Sequence, residues 1–374
     1  MADALMVTSS FLPGRGGIES YLAELCELLS PRLAVLAPPE RDGVPLPSAL
    51  AYPTAAGPNS MLVPTRTVVA AILEQARAHE TDKVLFGTPW PLVLLGPRLR
   101  KAGLRYAVIV HGAELVVPGA VPLLRKRMAE ALGGAELLLP VSDYTAGATT
   151  SLLQRMKVSV PRIERLRARV DVAQFQPGLD ATAVRTRLGI AAEAKVVLCF
   201  GRLVPRKGVD RLISAMPEIA RSIPGATLVV GGTGPEEAKL RRLAERTDAA
   251  VVFAGRVPDE EAGPLYATAD VFALPVVDRW FGLEIEGLGV VSLEASACET
   301  PCVTGNSGGT PEAVLDGATG YVIDGRSRAA LVDRVVRLLA DDGLRSSLGA
   351  AARRHVKENF SASLPPTPLL EWLA

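Results

Sequence analysis

No apolar run in the chain approaches the roughly 18 residues that a membrane-spanning helix needs. The richest stretches, such as Lys195 to Phe200, are strand-sized and soon broken, so a spanning segment is not expected. Positive charge is also missing ahead of the first apolar run: Asp3 precedes Ala4-Leu5-Met6-Val7. That is the wrong sign for a secretion signal, and the cytoplasm is the expected compartment. Histidine is limited to His79, His111 and His355, too few for a histidine-rich metal centre. The four cysteines, Cys26, Cys199, Cys298 and Cys302, stand in apolar contexts, and the lone C-x3-C pair has no histidine nearby. They read as buried free thiols rather than zinc ligands. Aromatic residues are only 5% of the chain, which favours cores of small and branched side chains. No Walker sequence is present. Gly232-Thr233-Gly234-Pro235-Glu236-Glu237 ends in acid where a dinucleotide fingerprint needs glycine, and Gly14 to Glu19 fails the same test.

The 374 residues exceed the length at which a single core stops growing, roughly 250 to 300, so two domains are expected. A hydrophobic share of 48% against 22% charged supplies enough apolar material for both. The net charge of +1 conceals an asymmetry. Residues 1–170 carry nineteen Lys/Arg and fourteen Asp/Glu, and the remainder twenty-two and twenty-six. No nucleic-acid partner is expected.

Met6-Val7-Thr8, the loop Pro13 to Gly17, and Ile18, Tyr21, Leu22, Leu25, Leu28 and Leu29 at helical spacing read as strand, glycine loop and helix. Lys83–Gly87, Tyr106–Val110 and Leu137–Val141 are continuous apolar runs separated by helix-length segments, as buried parallel strands require. After a polar passage near 170–195 the pattern restarts with Lys195–Gly201, Ala226–Gly231, Val251–Gly255, Val271–Pro275 and Pro301–Thr304. The expected fold is α/β, two Rossmann-like, doubly wound parallel-sheet domains facing across a cleft. The domains are placed at 1–170 and 180–350, with a C-terminal helix, 352–374, packing back on the first.

Two segments carry chemistry. Gly201-Arg202-Leu203-Val204-Pro205-Arg206-Lys207-Gly208 sets three cations directly after a buried strand, an arrangement suited to a diphosphate; charges kept for solubility are the plain alternative. Glu286-Gly287-Leu288-Gly289-Val290-Val291-Ser292-Leu293-Glu294 holds two carboxylates eight positions apart, with Gly-x-Gly between them and a helical run after. A helix starting near Gly289 would aim free amides at a phosphate, and Glu294, little more than one turn in, could reach sugar hydroxyls. Acids that merely complement a helix dipole would explain one glutamate better than a spaced pair.

Glu-x7-Glu after a proline-containing strand, with the upstream Gly-Arg-Leu-x-Pro-x-Lys-Gly, closely resembles the signature of the retaining glycosyltransferase family 4, whose fold is GT-B. Thr8 to Tyr21, Val110-His111-Gly112-x-Glu114 and Gly308-Gly309-x-Pro311-Glu312 extend the resemblance over most of the chain. "RLVPRKG", "EGLGVVSLEASAC" and "NSGGTPEAV" look most like the actinobacterial GDP-mannose-dependent phosphatidylinositol monomannoside mannosyltransferases. The resemblance implies that Arg202 and Lys207 bind the diphosphate and that Glu294 holds the ribose hydroxyls. It implies further that Glu286 contacts the transferred sugar, and that Gly16 and Gly17 let the first loop approach the phosphates. Arg256 and Val257 would meet the base, Leu288, Gly289, Val290 and Val291 would form the anion-binding helix start, and His111 would lie beside the reacting carbon. A lone histidine at a strand end can equally be structural.

The implied reaction transfers mannose from GDP-mannose to a phosphatidylinositol mannoside lipid with retention, and without metal or cofactor. Alternatives are another donor, UDP-glucose or UDP-GlcNAc, with a soluble acceptor, or a relative that binds nucleotide sugar without turnover. Arg169, Ala113 and Trp280-Phe281 depart from the pattern, where the resemblance leads one to expect glycine, histidine and a glycine-rich stretch. The aromatic pair is placed to reshape the sugar or acceptor pocket. Residues 98–169 hold thirteen basic side chains against five acidic ones, and Val121-Pro122-Leu123-Leu124 directly precedes Arg125-Lys126-Arg127. These features, with the apolar tip Met61-Leu62-Val63, suggest docking on anionic lipid at the inner face of the plasma membrane.

Overall fold

The computed structural model describes residues 1–14, 16–112, 115, 121–280 and 284–374. The chain forms two units, Met1–Ala168 together with Pro365–Ala374, and Arg169–Leu364. Among the described residues no helix is long and apolar enough to cross a membrane.

In the first unit the strands are β1 (Ala4–Val7), β2 (Leu33–Ala37), the small hairpin β3 (Glu40–Arg41) and β4 (Val44–Pro45), β5 (Thr54–Ala56), β6 (Lys83–Phe86), β7 (Arg105–Val110), β8 (Leu137–Pro140) and β9 (Arg162–Ile163). Seven of them make a parallel sheet in the order β5-β2-β1-β6-β7-β8-β9. Side chains alternate between its faces, which is why the strands read as unbroken apolar runs. Leu5, Val7, Val84, Phe86, Val108 and Val110 enter one cluster with helices Arg66–Ala78 and Pro122–Gly133. Ala4, Met6, Leu85, Ala107 and Ile109 enter the other with helix Gly17–Leu28. The second cluster is completed by Leu369, Trp372 and Leu373 of the terminal helix Thr367–Leu373. Lys83 Nζ donates to the Leu373 carbonyl at 2.9 Å, and Trp372 Nε1 donates to Glu136 Oε2 at 3.1 Å.

The second unit contains β10 (Val196–Phe200), β11 (Thr227–Gly231), β12 (Ala250–Gly255), β13 (Val271–Leu274), β14 (Cys302–Gly305) and β15 (Gly320–Ile323). They form a parallel sheet in the order β12-β11-β10-β13-β14-β15. Helix Val209–Ser222 buries Leu212, Ile213, Met216 and Ile219 along one face, the spacing a helix needs to lie on a sheet. The long helix Asp342–Asn359 belongs to this unit, so the segment that returns to the first unit is Pro365–Ala374.

Each sheet reverses its winding once. β1 lies between β2 and β6, and β10 lies between β11 and β13. Loops leaving the carboxyl ends of β1 and β6, and of β10 and β13, therefore flank a switch point, the place where open α/β sheets receive ligands.

Arg169 begins the second unit and is buried there, one guanidinium nitrogen donating to the Leu364 carbonyl at 2.6 Å and another to that of Ala362. The Val170 N–H donates to Phe360 O, and Ala362 N–H to Val170 O, both at 2.8 Å. A side chain counted by sequence among surface cations thus ties the start of this unit to its last residues. Cys26, Cys199, Cys298 and Cys302 are all free and buried.

Candidate active site

In the first unit, Gly16 is the N-cap of helix Gly17–Leu28, with extended backbone (φ −134°). Neither Gly16 nor Gly17 has positive φ, and among the described residues a Cβ added at Gly17 would meet nothing within 4 Å. Local packing therefore does not demand glycine at Gly17. His111 follows β7 and is buried. Its Nε2 is 2.9 Å from the Gly87 carbonyl oxygen; since a carbonyl only accepts, Nε2 carries the proton. The imidazole meets the Tyr21 ring edge-on at 5.8 Å. Gly16, Gly17 and His111 thus sit at the carboxyl ends of β1 and β7, with β6 and Gly87 between. Ala113 and Glu114 lie outside the described residues.

The second unit gathers more charge. Beyond β10 the chain passes Gly201 (φ +137°) and exposed Arg202, then makes one 3-10 turn, Pro205–Lys207, closed by left-handed Gly208. That turn sends Lys207 inward. Its Nζ lies 3.0 Å from Glu286 Oε1, and both side chains are buried. Arg206 reaches the other oxygen, with Nε at 3.2 Å from Glu286 Oε2. The network continues from Arg206 Nη1 to Glu284 Oε1 at 3.5 Å and from Glu284 Oε2 to Arg279 Nη1 at 3.2 Å. Burial alone would raise the Glu286 pKa, but the adjacent Lys207 and Arg206 charges outweigh it and hold the carboxyl below its ordinary range. Two cations at this sheet edge are thus paired with Glu286, and among the described residues a third, Arg202, has no ion pair.

The backbone beside Glu286 is fixed from the neighbouring loop. Its N–H donates to Ser307 Oγ at 3.1 Å, and Ser307 Oγ donates to Asp278 Oδ1 at 2.5 Å. Gly308 is required here: its φ is +57°, and an added Cβ would fall 1.8 Å from the Glu286 carbonyl oxygen.

Gly289 takes φ +78° as the N-cap of helix Val290–Ala297, a left-handed turn that suits glycine. The helix begins where sequence placed it. Leu288 is buried before it, and Val291 Cγ1 lies 3.9 Å from a Cβ built on Gly201, which brings the helix start to the β10 loop. Ser292 Oγ, in the first turn, is buried with no hydrogen-bond partner among the described residues. The Ser292 N–H donates back to the Gly289 carbonyl at 2.8 Å, so the Val290 and Val291 N–H groups and the unpartnered hydroxyl are the donors suited to a phosphate. One turn on, Glu294 accepts from Tyr266 Oη at 2.6 Å. Burial raises the Glu294 pKa, opposed by the Tyr266 hydrogen bond and the Lys207 charge.

Arg256 and Val257 follow β12 at the sheet's edge, two strands from β10. Trp280 is 66% exposed at φ +53°, with the Arg279 guanidinium 5.6 Å from its ring; Phe281 lies outside the described residues. Among the described residues no three His, Cys, Asp or Glu side chains converge as a metal site would require. Sequence reasoning did not single out Arg206 as a partner of Glu286, nor Ser307, Glu284 or Tyr266. Arg206 was visible as a third cation, whereas Tyr266 sits in an apolar helical pattern with nothing to distinguish it.

The chain is similar over nearly its whole length to known proteins. The family described as "Glycosyl transferases group 1" matches residues 180–355. The GDP-mannose-dependent alpha-(1-6)-phosphatidylinositol monomannoside mannosyltransferase of Mycolicibacterium smegmatis is 40% identical over 365 residues, covering 95% of this chain and 94% of that protein. The GDP-mannose-dependent monoacylated alpha-(1-6)-phosphatidylinositol monomannoside mannosyltransferase of Corynebacterium glutamicum is 37% identical, covering 96% and 94%. In fold, the Anabaena protein HepE, solved in complex with UDP, superposes with a TM-score of 0.79 at 20% identity, covering 100% of this chain and 99% of that one.

Proposed function

Since the chain belongs to the group 1 glycosyl transferases, in the GT-B fold and akin over nearly its whole length to the phosphatidylinositol monomannoside mannosyltransferases, we propose that it transfers mannose from GDP-mannose to a phosphatidylinositol mannoside. The observation that carries this reading is the cluster of Lys207, Arg206 and Glu286 at the carboxyl edge of β10 and β13, beside the start of helix Val290–Ala297.

The chemistry follows from charge. As the bond between mannose and phosphate breaks, negative charge grows on the GDP diphosphate. Lys207, Arg202, the helix N–H groups and Ser292 Oγ are preorganised to receive it. Glu286 is held ionised by its two cations, and each of its oxygens has a second lone pair with which to accept a sugar hydroxyl. Glu294 holds the ribose. The reaction proceeds with retention and needs no metal: the acceptor hydroxyl attacks the face that the diphosphate leaves, and a leaving phosphate oxygen takes its proton.

The acceptor reading rests on the relatives' names and on the surface of the first unit. Val121 and Leu123 are 47% and 59% exposed at the start of helix Pro122–Gly133, and Lys126 and Arg127 are exposed on it. The basic excess is smaller than a count along the sequence suggests. Arg105 pairs with Asp82, Arg162 with Glu164 and Glu371, and Arg165 with Asp143, while Arg169 is buried in the second unit. Three or four cations beside exposed apolar side chains suffice for reversible docking, at about 1 kcal/mol each near anionic lipid.

The test is transfer from labelled GDP-mannose to phosphatidylinositol monomannoside in vesicles, with excess chelator in parallel. The expected product is a dimannoside with the new linkage in the α configuration, formed equally with chelator. Transfer only from UDP-glucose or UDP-GlcNAc would refute the donor, and loss of activity on chelation restored by manganese would refute the metal-free course.

A further inference from the structure

Tyr266 is wholly buried on helix Asp259–Ala267, a helix that carries no part of the proposed donor machinery. Its ring is gripped on three sides by Phe175, Phe200 and Phe272, with centroids 5.7 to 5.8 Å away. Its one polar atom donates to Glu294 Oε2 at 2.6 Å. A hydroxyl in so apolar a pocket must find a partner, and the partner here is the carboxylate whose second oxygen, Oε1, has none among the described residues. Because three rings fix the tyrosine, the carboxylate it holds has little rotational freedom. One oxygen is occupied and the other presented.

We propose that Tyr266 is a positioning residue for nucleotide recognition: it fixes the Glu294 carboxylate so that its free oxygen meets the ribose diol. The inference rests on the assignment of Glu294 to the ribose. The other charged groups facing Glu294 are Lys207, which favours its ionised form, and Asp259, which opposes it. The Cys298 thiol nearby is pushed up to about 12 and stays neutral. Burial holds the tyrosine far above its ordinary pKa, so its hydroxyl remains a donor wherever the protein is folded.

The experiment is calorimetry on wild type, Tyr266→Phe, Glu294→Gln and the double variant, titrated with GDP and with 2′,3′-dideoxy-GDP. Phenylalanine keeps the ring contacts and removes only the hydroxyl, and thermal unfolding verifies that each variant is folded. Tyr266→Phe is expected to weaken GDP about ten-fold, the scale of one hydrogen bond to a charged group, to leave dideoxy-GDP unchanged, and to add nothing when combined with Glu294→Gln. Its GDP affinity is also expected to fall away at higher pH than in wild type, because Glu294 has lost an influence that favours its ionised form. Equal weakening of both nucleotides with an unshifted pH profile would overturn the inference, leaving Tyr266 as packing alone. A Glu294→Gln substitution that weakened GDP and dideoxy-GDP equally, or weakened neither, would instead overturn the ribose assignment, and the inference with it.

Discussion

Replacing Lys207 with methionine separates the ion pair that this lysine makes with Glu286 from the diphosphate role proposed for it. In the folded state Lys207 Nζ lies 3.0 Å from Glu286 Oε1, with both side chains only 9% exposed. Removing one partner of a buried pair costs about 3 to 5 kcal/mol, because the other charge stays desolvated. Arg206, still 3.2 Å from Oε2, keeps the loss near the lower bound, about 3 kcal/mol. For a unit of this size that is roughly 6 to 12 °C in Tm. The deficit depends on pH. The folded pKa of Glu286 lies below its unfolded value, so its ionisation contributes stability that is present above the ordinary carboxylate range and lost as pH falls through the folded pKa. In Lys207→Met burial is opposed by Arg206 alone and the folded pKa rises. The gap from wild type is therefore full near neutrality and closes in acid, where Glu286 is protonated in both proteins. Adding Glu286→Gln to Lys207→Met removes the stranded charge and should recover at least about 1 kcal/mol, since Arg206 retains Glu284. The double variant's turnover should stay below that of Glu286→Gln alone, because the loss of a preorganised donor costs about 2 to 4 kcal/mol in the transition state. Thermal unfolding from pH 4 to 8 and single-turnover transfer measure the two quantities. If the double variant turned over as fast as Glu286→Gln alone, Lys207 would be a structural partner of Glu286 and the assignment to the diphosphate would be wrong.

Arg202→Ala should lose about 2 to 4 kcal/mol of transition-state stabilisation while its Tm stays near wild type, since the side chain is exposed; wild-type turnover at limiting donor would remove Arg202 from the site. Glu286→Gln should spare GDP affinity and impair transfer, whereas Glu294→Gln should weaken GDP itself, and equal calorimetric losses in both would erase the distinction. Leu123→Glu combined with Lys126→Glu and Arg127→Glu should abolish sedimentation with anionic vesicles and leave zwitterionic ones unaffected; unchanged sedimentation would remove this helix from the docking surface. Deleting Pro365–Ala374 uncovers the pocket that Leu369, Trp372 and Leu373 fill. At about 1.5 to 3 kcal/mol for each large buried side chain, the first unit should unfold or aggregate, and a truncated protein with wild-type Tm would refute that packing.

Most of both sheets was legible because strands buried on two faces leave unbroken apolar runs, as Val196–Phe200 and Val271–Leu274 do. Of the strands that sequence passed over, Thr54–Ala56 and Arg162–Ile163 are short, part-exposed edges, whereas Leu33–Ala37 is as apolar and as buried as those that were read. Leu33–Ala37 follows the first helix after only four residues, and Gly320–Ile323 is a short edge strand with a glycine at its start. In the site, the glycine turn before Val290 and the spaced glutamates could be read from local pattern, since each lies within one stretch of chain. The partners could not. Lys207 and Glu286 are 79 positions apart, and Tyr266 and Glu294 are 28 apart; no periodicity encodes such a meeting. Arg169 shows the converse: a sequence registers its charge, while only the fold shows it spent on two carbonyls.

The first unit is assembled from two distant stretches of chain. Its sheet is complete by Ile163, yet Leu369, Trp372 and Leu373, which close one face of it, are translated only after the whole second unit. Synthesis at about 5 to 20 residues per second leaves that face uncovered for on the order of ten to forty seconds while the second unit emerges. The nascent first unit must therefore wait, with an apolar groove open to solvent and to chaperones, for a plug that arrives late. Completion of the first unit is thus deferred until the second has been made, and a ribosome stalled anywhere within the second unit carries a first unit that lacks its final helix.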